Sequence, residues 1–248
     1  MTLKTTEAIT LRNYPYREAD RIVVFFTRSQ GKLRGIARGA RRLRSHFGSS
    51  LEPISHVRLV YFAKENQDLV SINSCDLLES HASLRGTLEG SYYCAYVSEV
   101  LSEFTQEGAA NEKVFRLMLA VLDPSLTLSW EARARYFETW MLRLEGVFPM
   151  LQNCGRCGRS LQPESVFVPS GGHEACCRKC AAAGDLPLST AELQLVYNIF
   201  SHRISDIDWS RWSPAAMKNL GLLNSKLIQY HLEKALKSGR FLKELNRC

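Results

Sequence analysis

The chain has 248 residues, 45% of them hydrophobic, which allows a genuine core in one large domain or two to three small ones. No apolar run approaches the roughly 20 residues that span a bilayer. Met1 to Thr10 mixes Lys4, Glu7 and threonines without an apolar signal core, so a cytoplasmic protein is expected. There are 32 basic and 25 acidic residues, a formal charge of +7, and the segment 28–44 alone holds seven basic residues and no acidic one. A charge excess equal to that of one short stretch points to a local anionic partner rather than a generally basic surface.

The first 80 residues alternate short strand-like runs with turn signals. Strands are expected at Thr5 to Arg12, Asp20 to Thr27, Lys32 to Arg38, Ser55 to Ala63 and Leu69 to Leu77. Ser29-Gln30-Gly31 makes the turn between the second and third, with glycine free to take a positive φ. Gly39 to Ser50 is a long exposed connection, basic and then Gly/Ser-rich. Five short strands with one long loop suit a small closed barrel of the OB type, with a five-strand SH3-like barrel as the alternative.

Alternation along the third strand puts Lys32, Arg34, Ile36 and Arg38 on one face, and Arg41, Arg42 and Arg44 follow in the loop. Arginine bonds phosphate bidentately, glycine lets the backbone come close, and aromatic faces support bases. Lys32, Arg34, Arg38, Arg41, Arg42 and Arg44 are therefore the candidate nucleic-acid contacts, with Tyr14, Tyr16 and Phe47 as candidates for stacking. The plainer reading of the charge is a solvated edge that resists strand aggregation. Phe25, Phe26, Tyr61 and Phe62 should place at least one core residue per adjacent pair, since strand neighbours face opposite ways.

Beyond about Leu84 the hydrophobic period changes from 2 to 3.6 residues. Helices are expected over Leu88 to Thr105, with Tyr92, Tyr93 and Tyr96 packing, and over Glu112 to Leu122 before Asp123-Pro124. A third should carry Trp130, Ala134, Phe137, Met141, Leu144 and Phe148 on one face, capped by Ser129 and stopped by Pro149. Ser189 opens another through Phe200, and Pro214 to Lys237 forms the last.

Between these helices, five of the eight cysteines crowd into 27 positions, while Cys75, Cys94 and Cys248 stand apart. Cys154-Gly-Arg-Cys157 and Cys177-Arg-Lys-Cys180 form two CxxC pairs with 19 residues between them, a spacing suited to a tetrahedral zinc site. Cys176 could stand in for Cys177, although Cys177 keeps the CxxC geometry with Cys180; His173 is a further possible ligand. A redox role is the alternative. Four thiolates leave zinc no open position, so one structural Zn2+ is expected rather than a catalytic one.

The fold class is thus α+β and multidomain. An OB-type barrel (1–80) is followed by an all-α helical domain (81–152 and 186–248) interrupted by a four-cysteine zinc insert (153–185). An enzyme is not expected. The compact carboxylate pairs, Glu18-x-Asp20 and Asp206-x-Asp208, suit turns and caps as well as a two-metal nuclease, and no GxxxxGK[ST] loop is present. An RNA-binding or ribosome-associated protein is the alternative from the binding class, since barrels and zinc ribbons serve there too. A scaffold is the third.

Several segments together resemble the RecO family of bacterial recombination mediators. They are Tyr16-Arg-Glu-Ala-Asp-Arg-Ile-Val23 leading into Phe26-Thr27 and Gly31-Lys32, then Ala37-Arg-Gly-Ala-Arg-Arg42, Ser45 and Leu51-Glu-Pro53. Cys154-Gly-Arg-Cys157-Gly158, Phe167, Gly171-Gly172, Cys177 and Cys180 repeat the family's zinc segment in order, apart from the doubled cysteine at 176–177. The resemblance implies an N-terminal OB-fold, a helical C-terminal domain and a zinc-binding insert. It also implies a DNA repair protein that binds single- and double-stranded DNA, anneals complementary strands and helps load RecA onto DNA coated by single-strand binding protein. The partners it implies are RecR and the C-terminal tail of single-strand binding protein, with RecA reached indirectly, in a cytoplasmic, nucleoid-associated setting.

Overall fold

The computed structural model describes residues 2–63, 69–161, 166–169 and 174–238. The chain forms two compact units, Met1–Ser125 together with Leu236–Cys248, and Leu126–Ala235.

The first unit is built on five strands: β1 (Thr2–Tyr16), β2 (Asp20–Thr27), β3 (Gly31–Ala37), β4 (His56–Ala63) and β5 (Val70–Glu79). They close into a barrel in the order β1-β2-β3-β5-β4. The β3–β5 contact is parallel and the others are antiparallel, which is OB topology and sets the SH3-like alternative aside. β1 is longer than the expected Thr5 to Arg12 because it serves two neighbours: Thr2 to Ile9 pair with β4, and Ala8 to Tyr16 pair with β2. An irregularity between Thr10 and Arg12 bends it between the two.

The barrel interior is filled by Ala8, Val23, Phe25, Val57, Leu59, Tyr61, Val70 and Ile72. Phe26, on the opposite face of β2 from Phe25, is buried as well. It packs 6.1 Å from the ring of Phe115, which lies on α2 (Glu112–Leu122). Gly31 ends the β2–β3 turn at φ +62°, and a Cβ there would sit 2.1 Å from the carbonyl oxygen of Ala109. The position thus needs glycine both for its backbone and for its neighbour.

Each helix starts where its cap residue leads. Thr87 caps α1 (Leu88–Phe104) by accepting from Gly90 N, and Asn111 caps α2 by accepting from Val114 N. Tyr93 and Tyr96 of α1 are buried, as packing residues should be.

In the second unit, Ser129 caps α3 (Trp130–Leu144). Ser189 and Glu192 form a capping box on α4 (Thr190–Ser201), and Ser213 with Pro214 opens α5 (Pro214–Leu232). α3 ends four residues short of Phe148, because Val147 N and Phe148 N both fold back to the Leu142 carbonyl. α5 ends five residues short of Lys237: Glu233 turns left-handed, and Lys237 N and Ser238 N, already part of the first unit, bond to Glu99 of that same unit instead of to helix carbonyls.

Between α3 and α4 lies a small sheet, β6 (Val166–Val168), β7 (Cys176–Cys177) and β8 (Leu186–Leu188), ordered β7-β6-β8. Among the described residues no helix is long and apolar enough to cross a membrane.

Candidate nucleic-acid interface and metal centre

The loop after β3 is tied down at several points. Asp20 Oδ1 accepts from Gly39 N at 2.8 Å, Arg41 N donates to the Ala19 carbonyl at 2.9 Å, and Arg41 Nη1 donates to the Arg17 carbonyl at 3.2 Å. Internal turns add Arg42 N to Gly39 O and Ser45 N to Arg42 O, both 3.1 Å. These bonds bring the β1–β2 hairpin end, with Arg17 lying 5.2 Å over the Tyr16 ring, beside the arginine loop. Arg17 was not among the sequence candidates. The β2–β3 register, which sets Arg21 opposite Ala37, makes it a neighbour of Arg41.

Arg38, Arg41, Arg42 and Arg44 are exposed, and among the described residues no ion pair reaches Arg38, Arg42 or Arg44. Lys32 and Arg34 differ. Lys32 Nζ donates to the Ser102 carbonyl at 2.8 Å, and Arg34 Nε meets Glu107 at 2.9 Å. The Arg34–Glu107 pair is about half exposed on both sides, and such pairs contribute roughly 0–1 kcal/mol, little enough for another anion to compete.

The stacking candidates divide. Tyr14 is exposed and Tyr16 half-buried, but Phe47 is 4% exposed and packs in the barrel core. The expectation that Phe47 could stack on bases is corrected: the chain returns to the barrel there, with Ser50 N and Ser50 Oγ both donating to the Phe47 carbonyl. The carboxylate pairs do local work. Asp20 holds Gly39, and Asp208 caps a short turn by accepting from Ser210 N at 3.2 Å.

The two CxxC turns close in the same way. Gly158 N donates to the Cys154 carbonyl at 2.8 Å, and Ala181 N to the Cys177 carbonyl at 3.0 Å. The sulfurs of Cys154, Cys157, Cys177 and Cys180 all lie within 4.8 Å of one another, and Cys157 Sγ is 3.9 Å from Cys177 Sγ. Zn–S bonds of about 2.3 Å at tetrahedral angles require sulfurs about 3.8 Å apart, so the donor set fits a zinc-sized ion.

A backbone amide at Cys177, with others at Cys157 and Arg156, brings the Cys154 thiol down to about 6 and favours the thiolate that binds metal. Cys176 points elsewhere: its thiol donates to Asp185 Oδ2 at 3.6 Å, and burial together with that carboxylate pushes it up to about 11. His173 lies outside the described residues.

Two family profiles match the chain, Recombination protein O N terminal over residues 1–81 and Recombination protein O C terminal over residues 85–240. A DNA repair protein RecO of Koribacter versatilis (strain Ellin345) is 35% identical over 246 residues, covering 98% of this chain and 100% of that protein. Proteins of the same name from Geobacter metallireducens (strain ATCC 53774 / DSM 7210 / GS-15) and Anaeromyxobacter sp. (strain K) are each 30% identical, over 243 and 241 residues. They cover 97% and 96% of this chain, and 97% and 94% of their own lengths. With both profiles in chain order, an OB barrel under the first and the four-cysteine cluster under the second, the chain belongs to the RecO family of DNA repair proteins.

Proposed function

We propose that the chain is a non-enzymatic recombination mediator in DNA repair. It binds single- and double-stranded DNA, anneals complementary strands and assists RecA loading onto DNA coated by single-strand binding protein. RecR and the C-terminal tail of that binding protein are its protein partners, and the setting is the cytoplasm and nucleoid. The barrel (1–80) contacts DNA, the insert (153–185) holds one structural zinc, and the flanking segments (81–152 and 186–248) form the helical domain.

The observation that carries the reading is the group of exposed arginines, Arg38, Arg42 and Arg44, which no carboxylate pairs among the described residues. They sit on a loop held firmly to an OB barrel. Cations so placed neutralise the phosphates of two strands and lower the repulsion that opposes pairing. Arg41 joins them, and Lys32 and Arg34 extend the same face toward Ser102 and Glu107. Four thiolates around zinc would leave no site for substrate, so the metal would brace the insert.

The test is a strand-annealing assay on DNA precoated with single-strand binding protein, comparing the parent with the Arg38→Ala/Arg41→Ala/Arg42→Ala variant. The parent anneals the coated strands. The variant loses affinity for single strands, and its log–log salt slope becomes shallower by about 0.7 for each phosphate contact removed. An unchanged slope, or DNA cleavage in magnesium, would overturn the reading.

A further inference from the structure

Leu43 stands between Arg42 and Arg44 at 107% of its reference exposure. Among the described residues the other exposed large hydrophobic side chains reach at most 73%, at Met150. A single leucine on a surface is ordinary. This one is unusual in its setting: its neighbours are exposed arginines, and the loop that presents it is bonded to Ala19, Arg17 and Asp20 and rooted in the barrel core by Phe47. A stiff loop therefore holds an apolar tip in water inside a field that attracts phosphates.

We propose that Leu43 is a wedge that contacts base faces, and that the loop it tips recognises DNA whose bases are unstacked, namely single strands and single-strand/duplex junctions. The inference rests on the reading of the arginine loop as a DNA-binding element and deepens it. Arg38, Arg42 and Arg44 hold phosphates on either side, which brings a base face over the leucine. In a continuous duplex the bases are already stacked, and an apolar tip gains contact only by prising them apart. In a single strand the faces are free, so the tip loses water at little cost. Leu43 is thus a specificity-determining residue, while the arginines provide affinity without regard to strandedness.

The experiment uses the full chain with Leu43→Ser, Leu43→Phe and the triple arginine variant. Each is titrated by fluorescence anisotropy with a single-stranded oligonucleotide, a blunt duplex of the same sequence, and a junction carrying 2-aminopurine at the first unpaired position. Burying a leucine is a contribution of the size that makes the expected Leu43→Ser loss roughly tenfold on the single strand and the junction. Its salt slope stays unchanged and its duplex affinity stays that of the parent. The parent raises 2-aminopurine fluorescence at the junction, Leu43→Ser does not, and Leu43→Phe restores affinity.

If Leu43→Ser matches the parent on all three DNAs while the arginine variant loses binding, the wedge is wrong and the arginine loop stands. Equal losses on all three DNAs with a shallower salt slope also overturn the wedge, since that is the signature of a disturbed loop. If the arginine variant binds like the parent, the underlying reading fails as well.

Discussion

Cys176 and Cys177 leave the same two-residue strand in opposite directions: Cys177 Sγ lies 3.9 Å from Cys157 Sγ, and Cys176 Sγ lies 3.6 Å from Asp185 Oδ2. The doubled cysteine therefore splits between the four-sulfur cluster and a buried hydrogen bond. Cys177→Ser is expected to purify with little or no zinc and a lowered melting temperature. Cys176→Ser should keep one zinc per chain, because a serine hydroxyl can still donate to Asp185. Metal content by atomic absorption separates the two, and zinc loss in Cys176→Ser would reverse the assignment.

Phe47 ties the arginine loop to the barrel without facing solvent. Phe47→Ala should cost about 3–5 kcal/mol through the cavity it leaves, visible as a shift in urea midpoint. Limited trypsin digestion should then cut at Arg41, Arg42 and Arg44 faster than in the parent, because the loop has lost its root. Unchanged digestion would mean that the Asp20 and Ala19 contacts hold the loop unaided.

Glu99 accepts hydrogen bonds from Lys237 N at 3.1 Å, Ser238 N at 2.8 Å and Ser238 Oγ. Burial alone would raise its pKa, but these donors outweigh burial and hold it below the ordinary carboxylate range. A depressed folded-state pKa stabilises the protein above the unfolded value of about 4.3, and the effect is lost as pH falls through the folded value. Glu99→Gln should be less stable than the parent by about 2 kcal/mol at neutral pH. The gap should narrow once pH falls below the unfolded value and close as it passes the depressed folded one. A gap that persists in acid would show that shape, not charge, holds the segment.

In the second unit, a Cβ on Gly221 would lie 1.3 Å from Arg135 Nη1. Arg135 pairs with Glu138 at 3.3 Å in the interior, and Asn224 Nδ2 donates to Glu138 at 3.2 Å and to Thr139 at 2.9 Å. Gly221→Ala must move the guanidinium and leave a buried carboxylate short of its cation, so a loss of about 3 kcal/mol is expected in chemical denaturation. Combining it with Arg135→Met should cost less than the sum of the two changes. Strict additivity would mean that the glycine serves some other contact.

How much of this was legible in the sequence depended on the range of the forces involved. β2 runs from Asp20 to Thr27 as alternation and turn chemistry indicated, because a hairpin is specified by its own residues. β1 exceeds its local signal at both ends, since partners on β4 and β2 extend it to Thr2 and Tyr16. Pro15 is tolerated within β1 because β4 pairing has already stopped at Ile9. The caps at Ser129 and Ser189 were readable from neighbours within three residues. Glu107, which meets Arg34, and Glu99, which draws Lys237 and Ser238 out of the helical run, act across long separations that no periodicity records. The insert's strands are two or three residues long, too short to show a period.

The barrel is joined unevenly. β3 meets β5 through two register pairs, Gly35 with Val70 and Ile36 with Ser71, whereas β1 and β4 share eight. Opening of the cylinder should therefore be easiest at the β3–β5 joint, where the fewest register pairs must part. The strand on one side of that joint runs directly into Arg38, so the bonds to Asp20, Ala19 and Arg17 are what hold the guanidinium groups in register when the closure loosens.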